Sequence, residues 1–297
     1  MSADSAAAPA PGSTGFGSRL AAAMDARGPL CVGIDPHPQL LAHWGLDNGT
    51  SGVREFSLRA LEAVGPHVAA VKPQAAFFER LGSAGPALLA EVVQAARSAG
   101  VLCIVDAKRG DIGSTMAAYA QAFLGDDSDL AGDAVTLSPF LGYESLAPAL
   151  DLAGRTGRGV FVLALTSNPA GATIQHARAE DGRTVAATIA AHAARSNATE
   201  VAAGAPLGSV GLVVGATVAN APEITGTDLA AVRGPLLAPG LGAQGASAAD
   251  LPGTFADAIP AVLATASRSV LGAGPDPAAM ARTARALAGE LAEVTGR

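Results

Sequence analysis

Eight short apolar runs punctuate the chain: LCVGI (30–34), VAAVK (68–72), VLCIV (101–105), DAVTL (133–137), VFVLAL (160–165), VGLVVG (210–215), PLLAP (235–239) and AVLATA (261–266). None of them alternates polar with apolar positions, as a half-exposed antiparallel strand does. The pattern is that of strands buried on both faces, which is the signature of a parallel sheet. Amphipathic segments separate the runs. Residues 53–64 carry apolar positions at helical spacing, and so does PALLAEVVQAARSA (86–99). The latter opens on proline and is followed by Gly100, as a helix with ordinary boundaries should be. An alanine-rich helix is predicted over 184–203 and a last one over 277–294. The polar, irregular stretch 168–183 reads as a loop insertion after the fifth strand.

Eight parallel strands separated by helices, in one chain of 297 residues, fit a (β/α)8 TIM barrel in a single domain over residues 16–297. A doubly wound open sheet is the alternative. It would be favoured by a glycine fingerprint after the first strand, and GIDPHP offers none. Residues 1–15, MSADSAAAPAPGSTG, have neither a basic start nor a long apolar core. They read as a disordered tail and not as a signal peptide.

Composition narrows the function classes. At 49% hydrophobic and 15% charged residues the chain can bury a large core, and its net charge is −7. No basic stripe is present to track a nucleic-acid backbone, although one positive pocket for a small anion fits within an acidic protein. Only two of the 19 basic residues are lysines, Lys72 and Lys108, and both end apolar runs. Cys31 and Cys103 fall inside predicted strands, without metal or disulfide spacing, and read as small buried hydrophobes. The longest uncharged stretch, 201–222, is broken by glycines, prolines and Asn220. It reads as a buried strand with its loops, so the expectation is a cytoplasmic protein with no membrane or nucleic-acid partner.

In a barrel of this kind chemistry belongs at the C-terminal ends of the strands. Those ends present, in order, Asp35, Lys72, Asp106 with Lys108, Ser138, Ser167, Thr217, the loop PGLGAQG (239–245) and Arg268. Asp106 and Lys108 are two apart, so on an extended strand they share a face. Asp111 lies beyond the strand, and a helix starting near it would put Asp111 and Thr115 on one side. Arg109 points the other way and reads as structural. The bland alternative is an ion-pair network at the barrel mouth. Such networks add little stability over packed apolar residues, so use explains the cluster better. A lysine flanked by carboxylates keeps its proton and is a good proton donor. A carboxylate held against a bound anion repels it, and the repulsion ends if the anion leaves as a neutral molecule. The implied chemistry is loss of CO2 followed by protonation of the carbon left behind. The glycines of PGLGAQG allow backbone N–H groups to cradle a phosphate, Arg268 adds a forked donor, and Gln244 is placed to close over the phosphate or the ring.

Taken together, GIDPHP, VKPQAAFFE, DAKRGDIGST, LTSNP and PGLGAQG resemble the orotidine 5'-phosphate decarboxylase family, and most closely its longer-chain bacterial class (type 2), over about residues 30–270. The resemblance implies a homodimeric barrel with shared active sites and no metal or organic cofactor. Its reaction converts orotidine 5'-phosphate to UMP and CO2 in de novo pyrimidine biosynthesis. By the family pattern Asp35 contacts the ribose, and Lys72 bonds the ribose and the neighbouring aspartate. Asp106 faces the substrate carboxylate, and Lys108 delivers the proton to C6. Asp111 and Thr115 reach the other subunit's site. Ser167 reads the pyrimidine, Gln244 and Arg268 hold the phosphate, and Gly242 offers a backbone N–H. LSPFLGYES departs from the family's NPY form, with Ser138 in place of the asparagine, so neither Ser138 nor Phe140 takes a role. A Mg²⁺-dependent sugar-phosphate decarboxylase or aldolase shares Asp-x-Lys-x-x-Asp, here Asp106, Lys108 and Asp111. It would need a further carboxylate near strand two, where this chain has Lys72; Glu79 looks like a helix residue. A non-catalytic nucleotide-binding barrel would leave a gap in the Asp–Lys–Asp–Lys–Asp set, and there is none.

Overall fold

The computed structural model describes residues 14–297 other than Ala243 and Gln244. The eight apolar runs form β1 (Leu30–Ile34), β2 (Ala70–Pro73), β3 (Leu102–Arg109), β4 (Ala134–Leu137), β5 (Gly159–Leu165), β6 (Val210–Val214), β7 (Leu236–Pro239) and β8 (Val262–Ala266). Each pairs in parallel with the next, and β8 pairs with β1 to close the barrel. The architecture is the predicted (β/α)8 barrel. Closure explains the uninterrupted apolar runs, since one face of each strand fills the barrel and the other lies under a helix.

The predicted helices occur at Thr50–Val64, Ala84–Ser98, Val185–Ala202 and Pro277–Thr295. Their ends follow from local chemistry. Thr184 accepts the Ala187 N–H and so caps the third of these instead of joining it. Asp276 caps the last, with Pro277 in its first turn. Gly100 adopts the left-handed conformation (φ +67°) just past Ser98 and Ala99, which lets the chain turn into β3. The helices after β6 and β7 are reduced to Ala221–Thr225 and Leu251–Phe255. No helix among the described residues is long and apolar enough to cross a membrane.

Three features depart from the sequence reading. A helix at Phe16–Arg27 precedes β1 and closes the N-terminal end of the barrel with Phe16, Leu20 and Met24, all fully buried. Phe16 meets Phe161 of β5 edge-on at 5.9 Å, over Gly159, where any side chain would strike the Phe16 ring. The insertion after β5 is not wholly irregular: it holds a turn of 3-10 helix (Pro169–Gly171), a short helix (Ala172–Gln175) and an antiparallel bridge between Arg178 and Thr184. And β3 runs four residues beyond the predicted 105, to Arg109.

Candidate active site

The extension of β3 organises the site. β3 and β4 are in register at Val105↔Val135 and again at Arg109↔Leu137. Three residues of β3, Asp106 to Lys108, therefore stand against one of β4, Thr136, in a bulge. Lys108 adopts φ +47° there, a left-handed conformation that a side chain disfavours. Regular strand alternation was the expected reason for Asp106 and Lys108 to meet. They do meet, with Lys108 Nζ 2.5 Å from Asp106 Oδ1, but through this bulge.

Asp106 is the hub. Its Oδ2 accepts from Lys72 Nζ at 2.8 Å, and its Oδ1 also accepts from the Thr136 hydroxyl at 2.8 Å. With the Gln74 amide nitrogen turned toward it, Gln74 donates to Asp106 Oδ2 at 2.7 Å and to the Asp106 carbonyl at 2.9 Å. Burial by itself disfavours the Asp106 charge, but Lys72 and then Lys108 outweigh it and hold the carboxyl well below the usual carboxylate range. Burial likewise opposes the Lys72 ammonium. The charges of Asp106 and then Asp35 outweigh it, so Lys72 stays protonated above the ordinary lysine value. The side chain of Lys72 is 7% exposed and that of Lys108 is 44% exposed. One lysine is thus embedded in the site and the other is free to approach a ligand.

A cleft of about 450 Å³ opens over this group at the C-terminal ends of the strands. Asp35, Lys72, Asp106, Lys108, Ser167 and Arg268, arriving from five different strand ends or the loops after them, all line it. Gly33 leaves room for the Asp35 carboxylate, since a Cβ there would lie 2.7 Å from its Oδ2. Asp35 Oδ1, Thr265 Oγ1 and Ser267 Oγ are buried with no hydrogen-bond partner among the described residues, and all three residues line the cleft. Buried polar atoms of this kind call for a polar partner, which a ligand or water in the cleft can supply. Ser167 sits on a segment held by Gln175, which accepts the Thr166 N–H at 2.9 Å and donates to Thr166 Oγ1 at 2.7 Å. The insertion after β5 thereby braces the cleft wall.

Other candidates lie elsewhere. The helix after β3 starts at Gly113, so Asp111 precedes it and accepts the Ile112 N–H. The expected helical i,i+4 relation between Asp111 and Thr115 is not formed. Neither residue lines the cleft of its own chain, and Thr115 is exposed. The Gly242 N–H donates to the Ala246 carbonyl at 2.8 Å, so in this loop conformation it is not offered to a ligand as expected. Gln244 lies outside the described residues. Thr217 lines a neighbouring cleft with Asn220 and Asp250. Arg109 pairs with Glu79 and stacks over Tyr119 and Phe123 at 5.5 Å, facing away from the lysines as read. Burial pushes the Cys31 thiol up to about 12, in keeping with an inert core cysteine. Among the described residues no three His, Cys, Asp or Glu side chains are grouped to hold a metal ion.

Sequence reasoning gave no role to Gln74, Thr136, His37, Thr265 or Ser267, all of which line the cleft. Their common signal was position: each stands within about three residues of the C-terminal end of a strand.

The comparisons with known proteins agree with this geometry. The orotidine 5'-phosphate decarboxylase of Salinispora arenicola is 58% identical over 282 residues, covering 95% of this chain and 99% of that one. That of Streptomyces coelicolor is 56% identical over 276 residues, covering 93% and 96%. A crystal structure from Streptomyces avermitilis, of a protein assigned to the orotidine 5'-phosphate decarboxylases, is 53% identical with a TM-score of 0.90 and covers all of both chains. The Leishmania donovani OMP decarboxylase structure is 31% identical with a TM-score of 0.74, covering 96% of this chain and all of that one. The model of the Orotidine 5'-phosphate decarboxylase / HUMPS family matches residues 28–284, and with that span and those relatives the chain belongs to this family.

Proposed function

We propose that the chain converts orotidine 5'-phosphate to UMP and CO2 with no metal or organic cofactor, as a member of the longer-chain bacterial class (type 2). The observation that carries this reading is the Asp106 carboxylate clamped between an embedded lysine, Lys72, and a solvent-exposed one, Lys108. The substrate carboxylate would lie against Asp106, which its lysines keep ionised. The C6–carboxylate bond breaks, CO2 leaves, and the electron pair stays on C6. The Lys108 ammonium stabilises that developing carbanion and transfers its proton to C6. Lys108 then regains a proton from solvent, so the balance is orotidine 5'-phosphate plus one proton to UMP plus CO2.

Asp35, with its unpartnered buried oxygen, is proposed to hold the ribose beside Lys72, and Ser167 to read the pyrimidine. Arg268 and Gln244 are proposed to hold the phosphate. Gly242 would join them only after the loop gives up its bond to Ala246. The type 2 assignment is supported by the ordered insertion after β5. The catalytic domain is proposed to be residues 16–297, with 1–15 as a tail, in a cytoplasmic enzyme. Asp111 and Thr115 are proposed to serve the site of a second copy across a homodimer interface. Support comes from Ile112, Phe140 and Leu141, which are 62%, 75% and 53% exposed beside them in sequence or on the adjoining strand end. A metal-dependent sugar-phosphate reaction is disfavoured by Lys72 at the end of β2 and by Glu79, whose carboxylate is taken up by Arg109.

The test is turnover of orotidine 5'-phosphate by purified protein in excess EDTA. UMP formation unaffected by the chelator is the expected result; no turnover, or strict dependence on added Mg²⁺, would sink the reading.

A further inference from the structure

We infer that Thr136 is a positioning residue that holds the Lys108 ammonium over the Asp106 carboxylate, by accepting the Lys108 backbone N–H and donating its hydroxyl proton to Asp106. The inference rests on the decarboxylase reading and extends it to a residue outside the charged set.

The bulge makes the arrangement necessary. Where three residues of β3 face only Thr136 on β4, the regular backbone ladder is interrupted, and the Lys108 N–H finds the Thr136 hydroxyl at 2.9 Å. The same hydroxyl lies 2.8 Å from Asp106 Oδ1. An amide N–H can only donate and an ionised carboxylate can only accept. The hydroxyl must therefore accept from Lys108 and give its single proton to Asp106, so its orientation is unique. Thr136 is 1% exposed, which keeps water from competing for either bond. Its β-branched side chain has little rotamer freedom in a strand, so both bonds are made by a group already in place.

The consequence is mechanistic. Lys108 occupies a left-handed backbone conformation that its own side chain disfavours, and the bond to Thr136 helps retain it. Asp106 carries two donors on each oxygen: Lys108 and Thr136 on Oδ1, Lys72 and Gln74 on Oδ2. When Lys108 gives its proton to C6, Oδ1 loses its charged donor. Thr136 still holds that oxygen, so the carboxylate stays aimed at the reacting group and ready to take Lys108 back.

The experiment compares Thr136→Val, Thr136→Ala and Thr136→Ser with the parent enzyme. Valine keeps the shape and loses both bonds, whereas serine keeps the hydroxyl. The expected result is a kcat lower by about 10- to 100-fold in the valine and alanine variants, the range for losing a hydrogen bond to a charged group. UMP affinity should stay within about twofold, and serine should restore most of kcat. A valine variant with kcat within about twofold of the parent overturns the inference. So does a serine variant as impaired as valine, or a loss of UMP affinity in step with kcat, which would mark a merely structural role. If the valine protein does not fold, alanine against serine carries the same comparison. A crystal structure of a hydroxyl-free variant reads the positioning without turnover. Lys108 displaced from Asp106 supports it, and an unchanged Lys108 overturns it. A parent enzyme without turnover is a separate result, which strikes the decarboxylase reading.

Discussion

Two lysines hold one carboxylate, and the structure predicts that they contribute very differently to stability. Lys72 Nζ lies 2.8 Å from Asp106 Oδ2 with side chains 7% and 8% exposed. At an effective dielectric constant of about 20 the attraction across that distance is about 6 kcal/mol, much of it offset by the cost of burying both ions. Replacing Lys72 by methionine removes the attraction and leaves the Asp106 charge buried. Breaking one side of such a pair costs about 3–5 kcal/mol. The lower figure, about 3 kcal/mol, applies here because Lys108, Thr136 and Gln74 still donate to Asp106. The Lys108 side chain is 44% exposed. Solvent screens its contribution to about 1 kcal/mol or less, although its contact is shorter. For a chain of this size about 2 °C corresponds to 1 kcal/mol. Thermal melting at neutral pH should therefore place Lys72→Met about 6 °C below the parent and Lys108→Met within about 2 °C. Both variants should lose turnover, Lys108→Met by at least about 100-fold. Equal melting shifts, or the larger shift for Lys108→Met, would refute the argument that burial, not contact distance, decides the energy.

The same pair fixes a pH dependence. Asp106 is held below its unfolded value of about 3.9, so its contribution is present above that pH and lost as pH falls through the folded value. Lys72 is held above its unfolded value of about 10.4, so its contribution is present below that pH and lost as pH rises through the folded value. The stability difference between parent and the double variant Lys72→Met/Asp106→Asn should be flat from about pH 5 to 9; denaturant titrations showing a steady slope across pH 6–8 would contradict it. The shared-site proposal predicts that inactive Lys108→Ala and Asp111→Ala proteins regain activity when mixed under conditions of subunit exchange, because one hybrid site is intact. Demonstrated exchange with no recovery would count against Asp111 serving a second copy.

How far the fold was legible depends on what each feature rests on. A strand covered on both faces is apolar at nearly every position, with the exceptions gathered toward the site end, so all eight strands could be read from short apolar runs. The Phe16–Arg27 helix left a fainter mark, since Phe16, Leu20 and Met24 recur every four residues among small and polar residues. Their partner, the barrel's N-terminal opening, exists only once the sheet has closed. In the site, residue type and strand-end position singled out Asp35, Lys72, Asp106, Lys108, Ser167 and Arg268, because ionic and polar groups at the end of a buried strand need a reason to be there.

The sequence by itself determined the barrel, the end of it that carries chemistry, and the charged set at that end. Hydrophobic periodicity and residue type are local properties and survive in one dimension. Only the tertiary structure decided how those charges meet. The bulge opposite Thr136 is a property of pairing between two strands, and no pattern within β3 alone encodes it. The four donors on Asp106 come from three strands and the residue after one of them, and their convergence exists only when the barrel is closed. The same holds for the difference between the two lysines: each ends an apolar run in sequence, and only burial makes one a fixed part of the site and the other the proton carrier proposed for it.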